Sequence, residues 1–157
     1  MAPVLRSALL NRFSCLGEHC PDTCCQGWSM QLDEATFQRY AQQAPELLNA
    51  VAEEEDGLRV MRRDPHTHTC VKLENGLCGI HAQYGPALLS DACCFYPRIT
   101  RKIGDTSVMS AVLSCPEVAR LALEEVNMGE YTPTQLERLP HMMHDYLPPG
   151  LSLEDAL

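Results

Sequence analysis

The 157 residues, 45% of them hydrophobic, suit one ordinary domain and are too few for two substantial ones. A net charge of -9 and a pI near 5.0 exclude sequence-independent binding to nucleic acid, which needs a basic footprint. No stretch approaches the ~20 apolar residues of a membrane span, and residues 1–13 lack the long apolar segment of a secretory signal, so a soluble, cytoplasmic protein is expected.

Residues 14–28 are rich in Cys, Gly and small polar side chains and show neither helical nor strand periodicity, as expected of a loop wrapped around something. Asp33 reads as a helix N-cap, followed by an apolar stripe of Ala35, Phe37, Tyr40, Ala41 and Ala44. Pro45 opens a second short helix through Leu48 and Val51, which the acidic run 53–56 and Gly57 end.

A polar loop over residues 62–69 leads into Cys70-Val-Lys-Leu, then Glu74-Asn75-Gly76, then Leu77-Cys78-Gly-Ile, which is a hairpin signal. A three-residue loop would bring Cys70 and Cys78 onto one face as diagonal neighbours, while a two-residue Asn-Gly loop would put them on opposite faces. Pro86 begins a helix that continues through Ala87, Leu88 and Ala92 to Cys93 and Cys94. Residues 98–102 and 106–113 form two strands around Gly104-Asp105.

Ser114-Cys115-Pro116-Glu117 is a capping box, with Val118, Leu121, Ala122 and Val126 at helical spacing and Gly129 past the end. Thr132-Pro133-Thr134-Gln135 repeats the start signal for another helix ending before Pro148-Pro149-Gly150. Ser152 and Asp155 offer one more capping pattern at the end of the sequence.

Nine cysteines stand at 15, 20, 24, 25, 70, 78, 93, 94 and 115, the first four as CxxxxCxxxCC. In a reducing compartment such density points to metal ligation rather than a disulfide framework, and soft thiolates select zinc, copper(I) or iron-sulfur clusters. Adjacent Cys24 and Cys25 project differently and do not suit one tetrahedral zinc, and the paired CxxC knuckles of a zinc ribbon are absent. An iron-sulfur cluster is therefore expected ahead of zinc. Cys115 falls at the first helical position, where free amides favour a thiolate. Histidines 19, 66, 68, 81, 141 and 144 are further candidate ligands. The sequence carries no GxGxxG, P-loop, βαβ alternation or nucleophile elbow.

Phe13-Ser-Cys15, Cys20-Pro-Asp-Thr-Cys24-Cys25-Gln-Gly-Trp28, Cys70-x-x-Leu73, Gly76-x-Cys78-x-Ile80-His81, Cys94-x-Tyr96-Pro97-Arg98 and Ser114-Cys115-Pro116-Glu117 together resemble the flagellin lysine-N-methylase family and the wider group of zinc- or iron-chelating domains with a CxxCxxCC-type motif. The resemblance implies metal ligation by Cys15, Cys20, Cys24, Cys25, Cys70, Cys78, Cys94 and Cys115, with Cys93 an extra. It also implies methyl transfer from S-adenosylmethionine to lysine on a protein such as flagellin, in the bacterial cytoplasm.

The fold expected is mainly α with two small β-hairpins (α+β), in a single domain over 1–157 organised around a cysteine-ligated metal site. The metal pattern would lie within 13–123, with 130–157 a helical tail. The expected cofactor is a 4Fe-4S cluster, with zinc the alternative, shielded by Trp28 and Tyr96. The competing function is a non-enzymatic iron-sulfur or zinc module for electron transfer, metal handling or partner docking.

Overall fold

The computed structural model describes residues 4–54, 56–103, 105–124 and 129–135, and the backbone alone of 143–145. In chain order it contains β1 (Val4–Ser7), α1 (Leu9–Arg12), a 3-10 turn at Gly17–His19 and α2 (Glu34–Gln43). A 3-10 segment at Pro45–Ala50, β2 (Val51–Glu53), β3 (Arg59–Met61), β4 (Leu73–Glu74), β5 (Leu77–Cys78) and α3 (Gly79–Tyr84) come next. A 3-10 turn at Pro86–Leu88, α4 (Asp91–Phe95), β6 (Arg98–Ile103), β7 (Thr106–Ala111), α5 (Pro116–Glu124), β8 (Tyr131–Thr134) and β9 (Met143–Asp145) follow. These elements fall into two compact units, residues 16–95 and residues 1–15 with 96–157.

The unit of residues 1–15 and 96–157 is built on a five-stranded sheet in the order β8-β1-β7-β6-β9. β6 and β7 pair antiparallel, with Thr100 opposite Met109, whereas β1 pairs parallel to β7 and β9 parallel to β6. Val4, Leu10 and Met109 are buried together; Leu9, Cys115, Val118 and Leu121 form a second apolar cluster. The segment read as a helix start at Thr132 is instead the edge strand β8, with Pro133 opposite Leu5. An aromatic and two threonines favour the pleat, and an edge position tolerates the amide that proline lacks. The rest of that expected helix and the capping pattern at Ser152 lie outside the described residues, apart from the backbone of β9.

Pro116, not Cys115, opens α5. The Cys115 carbonyl accepts the Ala119 N–H at 2.9 Å, so Cys115 flanks the helix. At this helix start Ser114 Oγ lies 3.2 Å from the Tyr96 hydroxyl, and Glu117 is held by Arg120 at 2.7 and 2.8 Å. Guanidinium-carboxylate pairing competes better for Glu117 than a backbone amide does.

In the unit of residues 16–95, Asp33 caps α2 as expected, accepting the Thr36 N–H at 2.8 Å. The face that α2 buries is Thr36 and Tyr40, with Phe37 half-buried and Ala35 and Ala41 exposed. Phe37 carries the Arg59 guanidinium 4.0 Å above its ring, and Arg59 also pairs with Glu34. The core joins Met30, Leu32, Tyr40, Ala44, Leu47, Ala50, Met61, Ile80, Leu88 and Leu89 with Cys25 and Cys70. Burying a leucine such as Leu47, 1% exposed, stabilises by about 2 kcal/mol.

The acidic run read as a helix end is the turn of a hairpin, because Val51-Ala-Glu pairs with Arg59-Val-Met in antiparallel register. Pro86 opens only a 3-10 turn, and the helix restarts at Asp91. The mainly α fold organised around a cysteine-ligated metal is thereby corrected to a mixed arrangement of helices and sheets. Strand pairing between segments far apart in sequence, β1 with β7 and β8 above all, is invisible to local periodicity. Among the described residues no helix is long and apolar enough to cross a membrane.

Candidate functional site: a row of hydrogen-bonded thiols

Seven cysteines belong to residues 16–95, and Cys15 and Cys115 belong to the other unit. Cys15 is exposed, and Cys115 is buried against Leu9, Val118 and Leu121. Among the seven, the structure assembles a row through Cys25: its thiol is hydrogen-bonded with Cys24 on one side and Cys78 on the other.

Local structure explains the row. Cys25 is buried beside Cys70, whose N–H donates to the Cys25 carbonyl at 2.7 Å, and a Gln26–Thr69 bridge extends the contact. The Trp28 indole N–H donates to the Cys24 carbonyl at 2.9 Å, holding the loop closed, and Cys24 itself is exposed. Cys78 comes from the hairpin β4–β5, where Leu73 faces Cys78 across a two-residue Asn75-Gly76 loop with φ of 51° and 80°. That is the left-handed pair a tight hairpin turn favours. The two-residue alternative thus holds, yet Cys70 is not displaced to the far face of a strand. The chain turns at Cys70, with Leu73 N–H bonding the Cys70 carbonyl at 2.9 Å, before β4 begins.

The electrostatics divide the thiols. Hydrogen bonding by Cys25, aided by the Ile80 and His81 amides at the start of α3 and the His81 charge, outweighs burial and lowers Cys78 to about 6. The Cys25 hydrogen bond likewise lowers Cys24 to about 7 against partial burial and the charges of Cys78 and Asp22. Cys25 is pushed far up by the same two hydrogen bonds and by burial, so it keeps its proton. Burial raises Cys70, and it pushes Cys93 up to about 12 despite a hydrogen bond with Ser90.

Cys20 is half-buried at the end of the first 3-10 turn, and Cys94 is half-buried in α4, its N–H bonded to the Ser90 carbonyl at 2.7 Å. His19, His66, His68 and His81 are exposed; His141 lies outside the described residues, and of His144 only the backbone is described. Trp28 packs on the core of its unit, whereas Tyr96, expected beside it as a shield, belongs to the other unit. Cys93, set aside as an extra, is instead electrostatically linked to Cys24, Cys70 and Cys78. The signal for it was its position two residues past Asp91, a helix start, but strand and helix reading alone gives no direction for its thiol.

The expectation of a cysteine-ligated metal is corrected. Among the described residues, no group of three or more His, Cys, Asp or Glu side chains is arranged to hold a metal ion. The residues therefore do not fit the 4Fe-4S cluster or the zinc ion expected of them, and the iron-sulfur and zinc functions fall with it. No disulfide joins any of the nine cysteines.

No family model matches the chain, and no solved structure matches it. Over 133 residues it is 28% identical to a lysine-N-methylase of Salmonella typhimurium, covering 78% of this chain and 33% of that protein. It is 27% identical over 133 residues to the flagellar biosynthetic protein FliU of Salmonella muenchen, covering 78% of each chain. A lysine-N-methylase of Salmonella choleraesuis is 27% identical, again with 33% of its length covered. The chain thus spans about a third of the methylase relatives. The membership inferred from the cysteine motifs is corrected accordingly: the similarity is distant, its relatives carry two different names, and the metal site on which the motifs rested is not formed.

Proposed function

We propose that this chain works in the cytoplasm as one module that engages a lysine-bearing protein of the flagellar system, with flagellin the first candidate. The observation that carries this reading is the shared stretch of 133 residues, which aligns with both a lysine-N-methylase and a flagellar biosynthetic protein. Charge agrees with it. Residues 16–95 hold twelve acidic against five basic residues. Glu53, Glu54 and Asp56 are exposed together at the turn between β2 and β3. Such a surface attracts lysine side chains over a range set by screening, about 10 Å at 0.1 M salt.

Titration calorimetry of the full chain with purified flagellin monomer tests this. Binding that weakens when the flagellin lysines are acetylated, and weakens again as salt rises, is the expected result. No heat with unmodified flagellin, or equal binding after acetylation, contradicts it.

A further inference from the structure

Residues 16–95 carry a groove of about 540 Å³ on the β2–β3 hairpin, within the ~300–1,000 Å³ that ligand sites occupy. Side chains alternate along a strand and Ala52 pairs with Val60, so Ala52, Glu54, Val60 and Arg62 share one face while Val51 and Met61 turn to the core. Val60 is the buried floor of the groove, and Val71, 43% exposed, is its apolar wall.

The two ends of the groove carry opposite charge. Glu54 stands at one end, where Ser29 Oγ donates to its carboxylate at 3.3 Å and the exposed Glu53 and Asp56 add negative potential. Arg62, Arg63 and His68 line the other. Arg59 is neutralised by Glu34, but among the described residues the Arg62 guanidinium bonds only the Val51 carbonyl, at 3.1 Å, and Arg63 has no hydrogen bond or ion pair. The Asp64 carboxylate in the same lining is engaged with its own loop: Oδ1 accepts the His66 and Thr67 N–H groups at 2.9 Å each. The His68 N–H donates to the Asp64 carbonyl at 2.9 Å, which fixes this end. The Glu54 N–H bonds the Leu58 carbonyl at 2.8 Å and the Arg62 N–H the Ala50 carbonyl at 2.7 Å, so the ladder runs between the two ends. Four residue steps of about 3.3 Å put Glu54 and Arg62 roughly 13 Å apart along the strands.

We propose that this groove binds an extended peptide segment with a lysine, an aliphatic residue and an acidic residue at alternate positions i, i+2 and i+4, in either chain direction. The inference rests on the lysine reading above and adds to it the neighbours that the lysine must have. An extended peptide rises by the same ~3.3 Å per residue and puts alternate side chains on one face, so its three side chains match the three zones of the groove. The lysine ammonium meets Glu54, the aliphatic side chain covers Val60 and Val71, and the carboxylate receives Arg63 with Arg62 beside it. A guanidinium fork is the donor suited to a carboxylate. The loop over residues 64–69 is already closed by its own hydrogen bonds, so binding orders little there.

Fluorescence anisotropy of the full chain with labelled, terminally blocked Lys-Thr-Val-Thr-Glu tests the proposal. Binding should weaken at least about threefold when the peptide glutamate becomes glutamine, and by as much when its lysine does. Arg63→Glu, at an exposed position, should weaken the parent peptide about tenfold or more. The same variant should bind a peptide with lysine in place of the glutamate better than the native chain does. No binding of the parent peptide, equal binding of the glutamate and glutamine peptides, or an Arg63→Glu variant that binds the parent as the native chain does would each overturn the proposal. Should Arg63→Glu not fold, the peptide series on the native chain still decides it. Flagellin calorimetry separates the two readings: lysine-dependent binding of flagellin, with no response to the peptide glutamate, keeps the lysine reading and ends this one.

Discussion

Asp33 and Asp91, 58 residues apart, are joined by a single carboxylate: the Asp91 N–H donates to Asp33 Oδ2 at 2.9 Å while Oδ1 accepts the Thr36 N–H at 2.8 Å. One side chain thereby caps α2 and fixes the start of α4, the helix that carries Cys93 and Cys94. Asp33→Ala removes a cap and a charge-assisted hydrogen bond together and should destabilise by about 2–3 kcal/mol. The shift of the urea midpoint at constant slope measures it.

The same carboxylate makes stability depend on pH. Burial pulls the Asp33 carboxyl up, but hydrogen bonds from Asp91 and Thr36 and the Arg39 charge outweigh it and hold the group below its usual 3.8. A lowered folded pKa means that the contribution is fully present above the unfolded value near 4 and is lost as pH falls through the folded one. Urea midpoints between pH 6 and pH 3 should therefore fall less steeply for Asp33→Asn than for the native chain.

Leu47 is 1% exposed among Tyr40, Ala44 and Met61 of one core. Leu47→Ala opens a cavity and should cost about 2–5 kcal/mol in denaturant unfolding. A loss below 1 kcal/mol would show that this core collapses around the gap.

Gly76 has φ of 80°, a conformation that an alanine resists. Gly76→Ala should cost about 1 kcal/mol or more. It should also disturb the hairpin that carries Cys78, raising the pH at which that thiol becomes reactive.

Much of residues 16–95 is legible from sequence. The Asp33 cap and the Asn75-Gly76 turn are local chemistry that the structure keeps, while Pro45 opens only a 3-10 segment that ends at Ala50, where β2 begins at Val51. The β6–β7 hairpin was legible for the same reason. What was hidden is non-local: β1 seated between β7 and β8, and the Val51–Met61 pairing that turns an acidic helix end into a hairpin. The cysteines show the same divide. Spacing identified a thiol-rich loop and hairpin, but not which sulfurs meet, because that depends on the chain turn at Cys70 and on the restart of the helix at Asp91. Reading all of them as metal ligands took spacing for convergence, whereas among the described residues no three or more such side chains are arranged to hold a metal ion.

The central claim is that Cys25 keeps its proton while serving Cys24 and Cys78 as thiolates. Alkylation with iodoacetamide across pH 5 to 10, quantified for each cysteine by mass spectrometry of the full reduced chain, tests it most directly. Half-maximal labelling of Cys78 near pH 6 and of Cys24 near pH 7, with Cys25 unlabelled throughout, is the predicted result. Three cysteines titrating together in the ordinary thiol range of about 8–9 would contradict it.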